Sequence, residues 1–299
     1  MKKYIAGLVL AVSIGSVSHA SLPQDAPPKG EEVEYCRPGD NHKHSYKLRY
    51  YAAVSGNPAK RPLVVLAPGA NPDKVIDHND PLATAIAQKL AMKGFNVAVV
   101  HYRKFGDGVV ANDYAKAKEW GPEDIRHAML YLQLMNGQKL NVDTKFVQGK
   151  GITASGGFPV GFTNFILGGL SFGGYLTSSM IHKGDLMYAD RRDPRLIGAF
   201  FCSTWVDPGA LSGYMANTKI PVAIVHNTKD GIPIGNNGTW AAGGQAISEE
   251  LLKRGFTVKS TFITTPCFDN HVPRVDKDSV AVVDEYVNAV VSNILALGL

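Results

Sequence analysis

The sequence alternates short apolar runs of strand type with amphipathic helical patterns, and this alternation strongly restricts how the chain can fold. The strand-type runs are residues 62–67, 96–100, 165–168, 196–202, 222–226 and 258–263, and residues 33–36 and 46–54 precede them. Helical patterns occupy residues 82–93, a segment from 121 onward, 247–254 and 280–295. This order predicts an α/β fold: a mostly parallel central sheet, an antiparallel strand pair at its N-terminal end, and helices on both faces.

Two helix starts carry local signals. Asp80-Pro81 combines a capping side chain with a proline suited to the first turn. Residues 121–124, Gly-Pro-Glu-Asp, predict that the next helix opens at that proline. No linker interrupts the chain after residue 20, so residues 21–299 are expected to form one domain.

The first twenty residues predict a signal peptide. Lys2 and Lys3 form a short cationic start, an apolar stretch follows, and Ser18-His19-Ala20 offers small residues for cleavage. The apolar stretch is shorter than the ~20 residues that span a bilayer, and no later segment is long and apolar enough to do so. We therefore expect an exported bacterial protein, secreted or periplasmic, without a membrane span.

Composition narrows the classes of function. With 45% hydrophobic and 19% charged residues the chain is globular rather than disordered. Its formal net charge is +5, and two of the positive charges lie in the predicted signal peptide. A balance this mild gives no reason to expect nucleic acid as a partner.

The sequence Gly169-Leu-Ser171-Phe-Gly173 has the pattern of a nucleophile elbow. A strand-type run leads straight into it and a helical pattern leads out. Such a sharp turn needs glycines two residues on either side of the serine, because side chains there would collide with neighbouring backbone. The turn would lift the Ser171 hydroxyl above the edge of the sheet.

A serine hydroxyl needs a base and an acid to become a nucleophile, and both follow at suitable places. Asp230 comes just after the strand-type run 222–226, and His271 lies in the loop after the run 258–263. The carboxyl ends of parallel strands meet at one edge of the sheet, so the three side chains are expected to converge there.

Taken together, these residues resemble the α/β-hydrolase superfamily, which shows the same order of serine, acid and histidine. The resemblance extends over residues 21–299. In its small size and its lack of a large cap, the chain resembles the branch of small secreted esterases, dienelactone hydrolases and polyester hydrolases. It implies that Ser171 attacks a carbonyl carbon, His271 is the base and Asp230 orients it. The implied oxyanion donors are the backbone N–H groups of Phe172 and of Ala70 or Asn71; one departure is Pro68-Gly69, where many lipases have His-Gly. Acyl transfer of this kind requires neither a metal ion nor an organic cofactor, and none is expected.

Other residues are candidates for the same roles. Asp207 is an alternative acid, whereas Asp269 is too close to His271 in sequence to orient its ring easily. His42 and His44 could share one strand face, but without nearby partners they are interpreted as a solvated hairpin. The remaining histidines beside regular elements are interpreted as packing or surface residues: His101, His127, His182 and His226.

The substrate is the least constrained part of the prediction. Residues 207–219 are too few for a helical cap, which predicts an open cleft. Four aromatic residues in loops near the same edge are candidates for an apolar subsite: Phe105, Trp205, Tyr214 and Trp240. The expected partner is a small-molecule or polymer ester. Alternatives are a serine peptidase or thioesterase of the same fold, and a non-catalytic binding protein on that scaffold.

Two further features leave alternatives open. Cys202 and Cys267 either pair as a disulfide or remain free buried thiols, and Cys36 is the third cysteine. The glycine-rich segment 149–163 is longer than an ordinary connection, and it is either a functional insertion or a surface excursion.

Overall fold

A computed structural model describes residues 27–36, 45–55, 62–70, 77–102, 114–135, 164–183, 195–204, 206, 219–232 and 240–299. Its strands are β1 Glu31–Cys36, β2 Ser45–Tyr51, β3 Leu63–Ala67, β4 Asn96–Val100, β5 Asn164–Leu170, β6 Arg195–Cys202, β7 Val222–Asn227 and β8 Val258–Ile263. Its helices are α1 Pro81–Met92, α2 Tyr114–Met135, α3 Ser171–Lys183, α4 Trp240–Lys253 and α5 Val280–Leu295.

The described strands form one sheet of eight in the order β1-β2-β4-β3-β5-β6-β7-β8. β1 and β2 pair antiparallel, β2 runs antiparallel to β4, and every pairing from β4 to β8 is parallel. The predicted α/β class and the antiparallel N-terminal pair are therefore confirmed. Since β3, β5, β7 and β8 are parallel, the loops after them emerge at the same edge of the sheet.

Helices cover both faces of this sheet. One face packs against α1 and α5 through residues such as Ile86 and Val290, and the other packs against α2, α3 and α4 through residues such as Met129 and Leu176. Successive strand residues alternate between the two layers; Val64 and Val65 in β3 belong to opposite ones. Burial on both faces explains why the central strands are continuous apolar runs.

The cap of α1 forms as the sequence predicts. The Asp80 carboxylate accepts a hydrogen bond from the backbone N–H of Ala83 at 2.8 Å, and Pro81 occupies the first helical position. Ser279 caps α5 in the same way, through the N–H of Val282. No helix in the described ranges is long and apolar enough to cross a bilayer.

The predicted start of α2 at residue 121 is wrong. The helix begins at Tyr114 and contains Pro122. A proline inside a helix removes one backbone hydrogen bond, but Ala117, one turn earlier, is fully buried and Trp120 packs against the same core. Packing of this part of the helix on the core favours a helical conformation before Pro122, and the local sequence signal does not include that packing. α4 likewise begins before the predicted segment, at Trp240.

Candidate active site

The site is built around a turn with no connecting residue between strand and helix. β5 ends at Leu170 and α3 begins at Ser171. Ser171 has a φ of 50°, in the left-handed region that residues other than glycine rarely adopt. Such strain is typical of a nucleophile elbow, which turns the serine side chain away from the sheet.

Two glycines allow the turn to pack against the end of β3. A Cβ atom on Gly173 would lie 2.3 Å from the carbonyl oxygen of Pro68, and one on Gly169 would lie 2.4 Å from that of Ala67. Both obstacles are backbone atoms, which cannot rotate away. The predicted need for glycine two residues before and after Ser171 therefore has a direct steric cause.

The structure brings Ser171, His271 and Asp230 together. His271 Nε2 lies 2.8 Å from Ser171 Oγ, and His271 Nδ1 lies 2.6 Å from Asp230 Oδ2. An ionised carboxylate can only accept, so Nδ1 carries the hydrogen and Nε2 is left to accept the serine hydroxyl. The three side chains, which come from the segments that follow β5, β7 and β8, thus form a continuous hydrogen-bonded chain.

All three side chains are buried, with 7% of Ser171, 6% of His271 and 1% of Asp230 exposed. Charge interactions are stronger where water is excluded, so the contact between Asp230 and a protonated His271 is less screened than on the surface. The remaining oxygen of Asp230, Oδ1, accepts the backbone N–H of Ile232 at 3.2 Å, which fixes the carboxylate.

The backbone of His271 is held separately from its ring. Its carbonyl oxygen accepts a hydrogen bond from Ser203 Oγ at 2.8 Å, and Ser203 Oγ also lies 2.8 Å from the Tyr286 hydroxyl. Its N–H donates to Asp269 Oδ1 at 3.1 Å. Asp269 thus contacts the backbone of His271 while Asp230 contacts the ring. Ser203 and Tyr286 carry no motif and were missed by the sequence analysis.

His226 is a second buried histidine beside this chain. Only 1% of it is exposed, and its Nε2 accepts the backbone N–H of Thr204 at 3.4 Å. Burial lowers the pKa of His226 to about 4, although the charge of nearby Asp230 acts to raise it. Gly244 of α4 packs directly on the ring, because a Cβ there would lie 2.5 Å from it. The interpretation of His226 as a packing residue fits this environment.

The loop after β3 lies against the serine. A Cβ on Gly69 would be 3.3 Å from the Cβ of Ser171. The buried Tyr102 hydroxyl lies 2.7 Å from the carbonyl oxygen of Pro68 and 3.2 Å from that of Gly69. In a trans peptide the N–H points opposite to the carbonyl, so these contacts turn the N–H of Gly69 and of Ala70 away from Tyr102. Tyr102 is a further residue that the sequence analysis missed.

Phe172 is the second residue of α3, and the first N–H groups of a helix are not used by its own hydrogen bonds. Its ring is buried and stacks on Tyr175. Ala70 is half-buried at the end of the described loop. Asn71, the alternative donor, lies outside the described residues.

Several other predicted residues also lie outside the described part of the chain: Phe105, Trp205, Asp207, Tyr214, His42, His44, the segment 149–163 and the predicted signal peptide. Trp240 was expected in a loop, but it is the first residue of α4. Cys202 and Cys267 are both free and buried, which supports the thiol alternative. Burial raises the pKa of the Cys202 thiol well above its usual value.

Solved structures share this fold. An esterase 2 from Thermogutta terrifontis aligns with a TM-score of 0.57 and 13% identity, over 91% of this chain and 96% of that one. A putative carboxylesterase from Lactobacillus plantarum aligns with a TM-score of 0.54 and 11% identity, over 91% and 98%. An acylaminoacyl peptidase from Pyrococcus horikoshii aligns with a TM-score of 0.54 and 12% identity over 92% of this chain, which spans 41% of the peptidase.

These similarities, together with the sheet order, show that the chain has the α/β-hydrolase fold. No protein-family model matches the sequence, and no curated protein sequence matches it. At identities this low the structural similarity shows the fold alone, and the same fold hosts many activities that differ in their site residues.

The close approach at the elbow predicts a large effect of Gly173→Ala. The new methyl group would collide with two backbone carbonyls, so we expect the free energy of unfolding to fall by about 2 kcal/mol or more. Chemical denaturation measures this change. Gly231→Ala is the matched control, because a Cβ there meets only the Lys229 carbonyl oxygen at 3.8 Å. Equal stability of the two variants would contradict the steric account.

The burial of His226 predicts a loss of stability in acid. Its folded-state pKa of about 4 lies below that of an unfolded histidine, so between about pH 6.5 and 4 the unfolded chain binds a proton that the folded one does not. Stability falls as the pH drops, by about 3 kcal/mol for a shift of this size. The free energies of unfolding of the wild type and of His226→Gln, measured by denaturation at a series of pH values, should therefore converge as the pH falls toward 4. Parallel pH dependence in the two proteins would refute this assignment.

Proposed function

We propose that the protein is an exported serine hydrolase that cleaves carboxylic esters through Ser171, His271 and Asp230. The observation that carries this proposal is the continuous hydrogen-bonded chain, with 2.8 Å between serine and histidine and 2.6 Å between histidine and aspartate. A nucleophile, its base and the group that orients the base stand within direct reach of one another, as nucleophilic acyl transfer requires.

The chemistry follows from the donors and acceptors. Ser171 Oγ attacks the ester carbonyl carbon while its proton passes to His271 Nε2, and Asp230 stabilises the imidazolium through Nδ1–H. His271 then returns the proton to the alkoxide leaving group as the C–O bond breaks, which leaves an acyl-serine. Water attacks this ester with His271 again as base, and the acid and free Ser171 are released.

The negative charge that develops on the carbonyl oxygen needs hydrogen-bond donors. We assign the backbone N–H groups of Phe172 and of Ala70 or Asn71 to this role. The Tyr102 contacts to Pro68 and Gly69 support the assignment of Ala70, because they fix the peptide that carries its N–H. Loss of one such donor commonly lowers the rate by about 10²–10³-fold.

We propose ester cleavage rather than another acyl-transfer reaction. This chain aligns with the two esterases over nearly their whole length, but with only 41% of the acylaminoacyl peptidase. A serine peptidase or thioesterase remains the alternative of the same chemistry. A binding protein without activity is the alternative of another class, but binding alone gives no physical reason to retain the three groups in hydrogen-bonded order.

The proposal includes the location and organisation of the chain. Residues 1–20 are assigned to a signal peptide and residues 21–299 to one catalytic domain that is exported from a bacterial cell. A small-molecule or polymer ester is the proposed substrate, received in an open cleft to which Phe105, Trp205, Tyr214 and Trp240 are candidate contributors.

A panel of acyl esters of increasing chain length, with matching thioesters and aminoacyl amides, tests the reaction class. We expect the wild type to hydrolyse at least one oxyester series with the highest kcat/KM, and Ser171→Ala to lose this activity while remaining folded. Faster turnover of the amides than of every ester would replace the esterase proposal with a peptidase. Faster turnover of thioesters would replace it with a thioesterase.

The two aspartates near His271 make distinct predictions. Asp230→Asn removes the charge at Nδ1 and favours the wrong tautomer, so kcat should fall by about 10⁴-fold. Asp269→Asn keeps an oxygen that accepts the His271 backbone N–H, so kcat should stay within about tenfold of the wild type. Steady-state kinetics on one ester measures both. The same measurement on Asp207→Asn tests the alternative acid, and a loss there comparable to that expected for Asp230→Asn would contradict the assignment.

A further inference from the structure

A second cluster of polar side chains lies outside the hydrogen-bonded chain of Ser171. Asp77 and His78 immediately precede the capping segment of α1, and His101 directly follows β4. One carboxylate oxygen of Asp77 and one ring nitrogen of each histidine lie within 4.8 Å of one another. His78 is buried, whereas Asp77 and His101 are half-buried.

Glu32 of β1 fixes the tautomer of His78. Glu32 Oε2 lies 2.9 Å from His78 Nε2, and Lys47 Nζ donates to Glu32 Oε1 at 2.8 Å. The ion pair with Lys47 places Glu32 as a carboxylate, and an ionised carboxylate can only accept hydrogen bonds. His78 Nε2 therefore carries the hydrogen. Asn79 Nδ2 also lies 3.1 Å from this nitrogen, but an amide N–H cannot donate to a ring nitrogen that carries a hydrogen, so the contact with Glu32 decides the tautomer.

The other ring nitrogen of His78 is then a lone-pair donor without a partner. Only 3% of His78 is exposed, and its Nδ1 has no hydrogen-bond partner among the described residues. A buried acceptor left without a hydrogen bond is unfavourable. The occupation of Nε2 by Glu32 leaves Nδ1 as the nitrogen that can serve the cluster.

Asp77 and His101 supply the other two groups. Asp77 Oδ1 accepts the backbone N–H of Asn79 at 2.7 Å, which orients the carboxylate and leaves Oδ2 for a further contact. The rings of His78 and His101 meet edge to face, with centroids 6.1 Å apart. Two imidazoles and one carboxylate are a ligand set that zinc and similar ions take, with water in the fourth position.

We propose that Asp77, His78 and His101 bind one divalent transition-metal ion of the zinc type. Glu32 is the outer carboxylate that holds the ligating histidine, an arrangement common at zinc sites. Bonds of about 2.0–2.2 Å in a tetrahedron place ligand atoms about 3.3–3.5 Å apart, so binding draws the three side chains inward by small rotations. This site is independent of the proposed esterase activity.

At this position the ion would stabilise the contact between two segments of the chain. Tyr102, which contacts the Pro68 and Gly69 carbonyls, is the residue after His101. Asp77 lies seven residues beyond Ala70 in the sequence. The ion would therefore link the end of β4 to the segment before α1. β4 is the neighbour of β3 in the sheet, and the loop after β3 carries Ala70, a proposed oxyanion donor.

The test uses the full mature chain without a polyhistidine tag, treated with chelator and dialysed. Titration with zinc chloride in a calorimeter should show one ion per chain, and zinc should raise the midpoint of thermal unfolding. Asp77→Asn and His101→Gln should each weaken binding by about tenfold or more, and Glu32→Gln by about 10–100-fold through the lost outer contact. His127→Gln, a histidine of α2 outside the cluster, is the matched control and should bind like the wild type.

Absence of zinc binding by the wild type would overturn the proposal. Binding of unchanged affinity in Asp77→Asn or His101→Gln would also overturn it, because the ion would then lie elsewhere on the chain. Unfolding curves without zinc establish that each variant is folded. Asp77 is half-buried and its replacement is nearly isosteric, so Asp77→Asn decides the question even if His101→Gln does not fold.

Discussion

The close packing of the elbow between β5 and α3 against the end of β3 is the constraint on which the site depends. Gly169 and Gly173 bring two backbones into contact where any side chain would collide with the carbonyl oxygens of Ala67 and Pro68. This contact fixes two things together: the height of Ser171 above the sheet and its distance from the loop that carries Ala70. The proposed nucleophile and one proposed oxyanion donor are thereby positioned by one steric feature.

The remaining groups are positioned by buried hydrogen bonds. Asp230 and His271 lie in the loops after β7 and β8. Ser203, the residue after β6, donates to the His271 carbonyl, and Tyr286 of α5 contacts the Ser203 hydroxyl. A buried polar network is favourable only when its members are satisfied, which makes each partner important for the geometry of the next. The positioning of the proposed base, His271, therefore depends on residues outside the chain of Ser171, His271 and Asp230.

The sequence predicted the elements whose signals are local. The apolar runs predicted the parallel sheet, Asp80-Pro81 predicted the start of α1, and the spacing of glycines around Ser171 predicted the turn. The start of α2 was missed because residues before Pro122, such as Ala117, pack on the core, and that packing is a tertiary property that the proline signal does not include. Tyr102, Ser203 and the partnership of His78 with His101 were missed for the same reason: each joins segments distant in sequence and has no motif.

The central claim is that Ser171 is a nucleophile activated by His271, and covalent labelling tests it most directly. The esterase 2 from Thermogutta terrifontis was solved phosphonylated by cyclosarin, which shows that an organophosphorus reagent modifies a protein of this fold. The folded protein treated with a fluorophosphonate should gain one adduct, which peptide mass spectrometry should locate on Ser171. Ser171→Ala should gain none. A folded wild type that is not labelled, or an adduct that persists in Ser171→Ala, would contradict the account.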